Sequence, residues 1–214
     1  MLNATVILAG LGRIAIEAYA CALWWHIVVA GFMTALAFGW RPARRLVGGL
    51  LCLPFASVSG CAWFFGNPFN GTVFALVAGL LGWLAWRTPG GAARRSRPWT
   101  IGLGGVLVAF AWVYPHFLLG RPALAYLWGA PMGLIPCPTL SLVIGVALIG
   151  YGPNSKSWSL LLAGAGTFYA LFGALRLGVL IDLVLLVGSF GLGLQAMVSA
   201  RRQSGDRNLE PAGS

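Results

Sequence analysis

Few side chains here can do chemistry, and they stand out against an apolar background. Cys137 lies between two prolines in Pro131-Met132-Gly133-Leu134-Ile135-Pro136-Cys137-Pro138-Thr139. Each proline removes a backbone donor and restricts the residue before it. This predicts a non-helical segment that holds the thiol, with Thr139 capping the helix that follows. Such a segment is either a shaped thiol site lining a cavity or a rigid helix start that happens to contain cysteine. Tyr114-Pro115-His116 supplies a phenol and one of two histidines; His26 is the other. A cysteine with two histidines can hold a soft transition metal. No ligand spacing within one helix supports that set, so the metal question stays open, and a structural or interfacial role is favoured for each histidine. Asp182 is the one acid inside an apolar run, with Arg176 nearby. It reads either as a helix cap or ion pair, or as a cation or proton ligand. Asn67, in Asn67-Pro68-Phe69-Asn70-Gly71, completes the candidate binding set of Cys137, Thr139, His116, Tyr114, Asp182 and Asn67.

Familiar catalytic patterns are missing. The sequence has no H-E-x-x-H, no G-x-S-x-G and no phosphate-binding G-x-x-x-x-G-K-[ST]. It offers no carboxylate pair, no catalytic residues and no cofactor signature, and the balance leans away from an enzyme.

The elements that position these residues follow from composition. Of 214 residues, 59% are hydrophobic and 8% charged, against roughly 25% charged in soluble domains. So few charges cannot clothe a water-facing surface, and lipid is the implied solvent. No charged residue occurs from Ala18 to Trp40, Leu46 to Trp86, Pro98 to Gly120, or Pro122 to Ser155. One crossing takes roughly 20 apolar residues. The chain therefore reads as an all-α polytopic bundle of about seven spans, at 18–39, 46–66, 70–87, 99–119, 134–151, 157–175 and 178–199, with a proline-broken helix start near residue 136. Residues 1–17, carrying Arg13 and Glu17, read as an interfacial lead-in helix rather than a removable signal or an eighth span. Residues 18–200 form the bundle, and 201–214 a basic, then flexible, cytoplasmic tail.

Arginine sets the expected orientation. Arg41, Arg44, Arg45, Arg87, Arg94, Arg95, Arg97, Lys156, Arg201, Arg202 and Arg207 fall on one side; Arg13, Arg121 and Arg176 fall on the other. Basic loops stay cytoplasmic, so the N-terminus is expected outside and the C-terminus inside, in a cell (inner) membrane. The net charge of +10 is then a lipid-headgroup anchor, and nucleic acid is not an expected partner. Tryptophans such as Trp24, Trp83, Trp86, Trp128 and Trp158 fall near span ends, as an interfacial belt does. Glycines within spans, such as Gly102, Gly104 and Gly105, predict close helix packing. Cys21, Cys52 and Cys61 read as small apolar fillers, and Cys52 and Cys61, about 13 Å apart along one helix, cannot bridge. In this topology Asn67, Asn70, His116, Arg121, Cys137, Arg176 and Asp182 share the outer depth.

Several runs carry a resemblance: Glu17-Ala18-Tyr19 with Trp24-Trp25, Phe64-Phe65-Gly66-Asn67-Pro68, Tyr114-Pro115, Gly133 to Thr139, and Gly178-Val179-Leu180-Ile181-Asp182. Over about residues 17–199 the chain resembles the bacterial membrane family catalogued as domain of unknown function 6064. The resemblance implies fold and location, and no activity. Transport or binding of a small solute or soft metal ion at an outward-facing polar site is the leading expectation. The alternative is a non-enzymatic structural or accessory subunit, with membrane-protein partners or a homo-oligomer.

Overall fold

The computed structural model describes residues 3–91, 96–118, 122–153 and 155–207, with side chains through Val198. Arg94, Arg95 and Arg121 lie outside the described residues, as do the side chains of Arg201, Arg202 and Arg207. The elements are α1 (Ala4–Glu17), α2 (Tyr19–Ala37), α3 (Arg44–Leu50), α4 (Leu53–Phe64), α5 (Pro68–Arg87), α6 (Pro98–Val113), α7 (Tyr126–Gly129), α8 (Pro136–Ile149), α9 (Lys156–Leu171) and α10 (Leu183–Arg207). A π-helix, Phe172–Arg176, extends α9, and a 3-10 turn, Leu180–Asp182, opens α10. Among the described residues the fold is all α-helical, without strands.

Five helical segments are long and apolar enough to cross a bilayer: Tyr19–Ala37, Arg44–Phe64, Pro68–Arg87, Lys156–Arg176 and Leu180–Val198. Two shorter apolar helices, α6 and α8, complete the bundle. The outward faces of the bundle present large apolar side chains, Leu76 and Leu80 on α5 and Val187 and Phe190 on α10 among them. Such a surface suits hydrocarbon, and the chain is a membrane protein.

α8 is the centre. It is apolar on all sides, and almost every residue from Pro136 to Leu148 is buried, which marks an enclosed helix. Its 14 residues span about 21 Å, short of the roughly 30 Å hydrocarbon core, so neighbours must shelter its ends. α6 crosses α8 where Gly104 meets Gly145. A Cβ on Gly104 would stand 2.5 Å from the Gly145 carbonyl oxygen, and one on Gly145 would stand 2.7 Å from that of Gly104. Glycine on both helices is what lets these backbones touch.

Three local expectations change. Cys137 is not in a non-helical segment: α8 begins at Pro136, with Ile135 at its N-cap. Both prolines occupy the first turn, where backbone N–H groups lack intrahelical partners and a fixed φ suits the helix. Trp158 stands near a span end, as expected, but faces inward: it is fully buried, packed in the main core with Leu148 and Leu162. The fourth apolar segment ends at Val113, short of 119, because Tyr114 leaves helical geometry (φ −10, ψ 95) and Pro115 cannot donate. At the other end of the chain α10 runs past residue 200 to Arg207.

α1 joins α2 through the single residue Ala18. It buries Leu11, Ile14 and Ala15 against Phe117, Leu118, Leu134 and Ile135. On its other face Arg13 pairs with Glu17 at 2.7 Å, one helical turn apart, and the carboxylate raises the guanidinium's pKa further.

Candidate functional site

The site begins where the helical path between α9 and α10 is interrupted. The π-helix closes with Leu177 N–H donating to Phe172 O at 3.2 Å, and Val179 N–H donates to Gly173 O at 2.9 Å. Gly178 turns the chain with φ +75, a conformation glycine adopts without strain. The Leu180–Asp182 turn then aims the Asp182 side chain inward, where it is 2% exposed. Irregular backbone at membrane depth survives where protein surrounds it or a cavity adjoins it.

A phenol holds the Asp182 carboxylate, and a thiol shares its pocket. The Tyr114 hydroxyl donates to Oδ1 at 2.7 Å. Cys137 borders the same pocket, and its Sγ is 3.9 Å from Tyr169 O. Gly173 leaves the space its Cβ would fill to Asp182 Oδ2. Opposite, the Tyr169 hydroxyl donates to Asn70 Oδ1 at 2.8 Å. A paired, hydrogen-bonded arrangement is what a buried carboxylate requires.

These six residues border one pocket with about 30 Å³ of cavity space, room for roughly one or two waters. Ile7 and Leu11 of α1 form part of its apolar wall.

Of the six sequence candidates, Tyr114, Cys137 and Asp182 come together here. Thr139 does not cap α8 as its N-cap. Lying inside the helix, its hydroxyl donates to Ile135 O at 2.7 Å and accepts from Gly133 N–H at 2.9 Å, binding the entering loop to the first turn. Asn67 caps α5, its side chain accepting from Asn70 N–H at 3.1 Å. His116 stacks edge-on against Phe117, centroids 4.3 Å apart, and burial pulls its pKa down. Sequence reasoning grouped Asn70 with Cys137 and Asp182, whose pocket it borders, without choosing it, and it missed Tyr169. A tyrosine in the middle of an otherwise apolar span was the available signal, since a buried phenol needs a partner.

His26 is a packing element. Its Nδ1 is 2.8 Å from Ala22 O and its Nε2 is 3.0 Å from Trp112 O. It also meets the Trp112 ring edge-on at 4.7 Å. Among the described residues no three of His, Cys, Asp and Glu are grouped to hold a metal ion.

No family model matches the chain, and neither a curated protein nor a solved structure matches it.

Proposed function

We propose that this membrane protein binds a small solute at the Asp182 pocket, opened toward the outer face, and carries it across the bilayer. One observation carries the reading: a buried carboxylate, held by Tyr114, adjoins a cavity at an interruption between two membrane helices. Ionisable groups at such depth are costly, and they recur where substrates and ions pass. Discontinuous helices are where many transporters bind their cargo. The soft-metal version has less support, since Cys137 brings one sulfur and His116 does not border the pocket.

Arginine placement supports an inner-membrane topology with the N-terminus outside and the C-terminus cytoplasmic. All seven apolar helical segments are read as spans. The resemblance to domain of unknown function 6064 remains part of this proposal, since its Pro136–Thr139 and Gly178–Asp182 runs contribute residues to one pocket.

Leu177 lines the pocket and is half-buried, which makes it a reporter. With all four native cysteines replaced by serine, Leu177→Cys should react with a charged methanethiosulfonate in intact cells. Reaction in inside-out vesicles alone would overturn the orientation. Transport is read by uptake of a panel of small solutes and ions, against Asp182→Asn at equal expression. Equal uptake across the panel would overturn transport.

A further inference from the structure

We infer that the cargo of the Asp182 pocket is a hard monovalent cation of about the size of sodium, ligated by Asp182, Tyr114, Tyr169 and Asn70. This rests on the reading of the pocket as a binding site and names what it binds.

Donor type is the first argument. The residues bordering the cavity that carry polar side-chain groups are Asp182 with its carboxylate, Tyr114 and Tyr169 with their hydroxyls, Asn70 with its amide and Cys137 with its thiol. Oxygen ligands suit hard ions, and a single thiol among them does not make a soft-metal site. The Tyr114–Asp182 and Tyr169–Asn70 hydrogen bonds, at 2.7 and 2.8 Å, leave lone pairs on both phenolic oxygens for a cation.

Size is the second. About 30 Å³ of cavity space fits an ion with a remnant of its hydration shell better than an amino acid or a sugar.

Charge is the third. Asp182 is the one acid bordering the pocket. One carboxylate balances one positive charge, whereas a divalent ion would leave a net charge in a low-dielectric interior. Arg176, at the end of the π-helix, is exposed and does not line the cavity.

Without the ion, the Tyr114 proton holds the carboxylate. When the ion enters, the hydroxyl keeps its bond to Asp182 and offers its free lone pair. Gly173 fixes where Oδ2 stands, so the ligand geometry is set before the ion arrives.

The test uses the full-length protein in detergent, with its thermal unfolding midpoint measured in sodium chloride against choline chloride at equal ionic strength. An ion that binds only the folded state raises the midpoint saturably. Sodium should do so, and Asp182→Asn should abolish the response. Tyr169→Phe, which removes one oxygen and keeps the ring, should weaken apparent affinity about ten-fold. Identical midpoints in the two salts would overturn the inference, as would a sodium response unchanged in both variants. A response to calcium or zinc chloride in place of sodium would overturn the charge and hardness assignment while supporting the pocket as a binding site. An absent salt response with outside labelling of Leu177→Cys intact would sink the cation and leave the outward-facing pocket standing.

Discussion

Gly173 and Asp182 share one space: the carboxylate oxygen Oδ2 of Asp182 occupies the position that a side chain on Gly173 would need. The π-helix that contains Gly173 and the 3-10 turn that ends at Asp182 are thereby fitted to each other without slack. Gly173→Ala should expel the carboxylate from its seat beside Tyr114. Alanine normally favours a helix over glycine by about 1 kcal/mol, so a loss here is diagnostic. A loss of about 1–3 kcal/mol, the usual range for overpacking, is expected from thermal or denaturant unfolding. Gly164 on α9 has nothing within 4 Å of its Cβ position, and Gly164→Ala serves as the control that should leave stability unchanged or raised.

The α6–α8 crossing gives a second prediction. A side chain at Gly104 meets backbone, which cannot turn aside as a flexible side chain can. Gly104→Val should lower the unfolding midpoint strongly and reduce the monodisperse fraction after detergent extraction. Gly102 and Gly105 on the same helix face open space, and alanine at either should be tolerated. If all three substitutions behave alike, the glycine crossing is not what joins these helices.

His26 caps the end of α6. The Trp112 carbonyl would receive the His116 amide if the helix continued, but that amide donates to Tyr114 O at 2.8 Å instead. The His26 Nε2 stands in its place at 3.0 Å and donates there in the tautomer that carries the proton on Nε2. His26→Phe keeps the volume and strands the carbonyl, which should cost about 1–3 kcal/mol. His26→Gln, which keeps a donor, should recover part of the loss. Equal midpoints for wild type and His26→Phe would refute the cap.

A pH effect follows from His116. Burial lowers its pKa in the folded chain below the ordinary 6.5, so the unfolded chain binds its proton more readily. Stability is whole above that ordinary value and declines as pH falls through it toward the folded value. His116→Gln should flatten the acid-side decline of the unfolding midpoint below about pH 6.5. An unchanged slope in that variant would show that His116 does not contribute.

Much of the architecture was legible because lipid imposes a coarse rule. Runs of about 20 apolar residues between charges mark where helices lie, whatever their neighbours. One grouping was legible too: counting from the loops put Cys137, Asp182 and Asn70 together, and they border one pocket. Position around the bundle was not. The Tyr169–Asn70 bond joins residues 99 apart, and no periodicity in either helix encodes which neighbour each faces. The Pro136-Cys137-Pro138 run misled for a local reason. Proline signals a break in mid-helix and a start in the first turn, and sequence alone does not tell the two apart. Trp158 misled because proximity to a span end in sequence does not say whether a side chain points outward or into the core.

One practical consequence lies in the first helix. Ile7 and Leu11 are part of the wall around Asp182, and the helix that carries them packs on the bundle and joins the next through Ala18. Trimming the leading seventeen residues as a dispensable extension would unroof the cavity, and a shortened chain assayed for activity would report on an open cup rather than on the natural chamber.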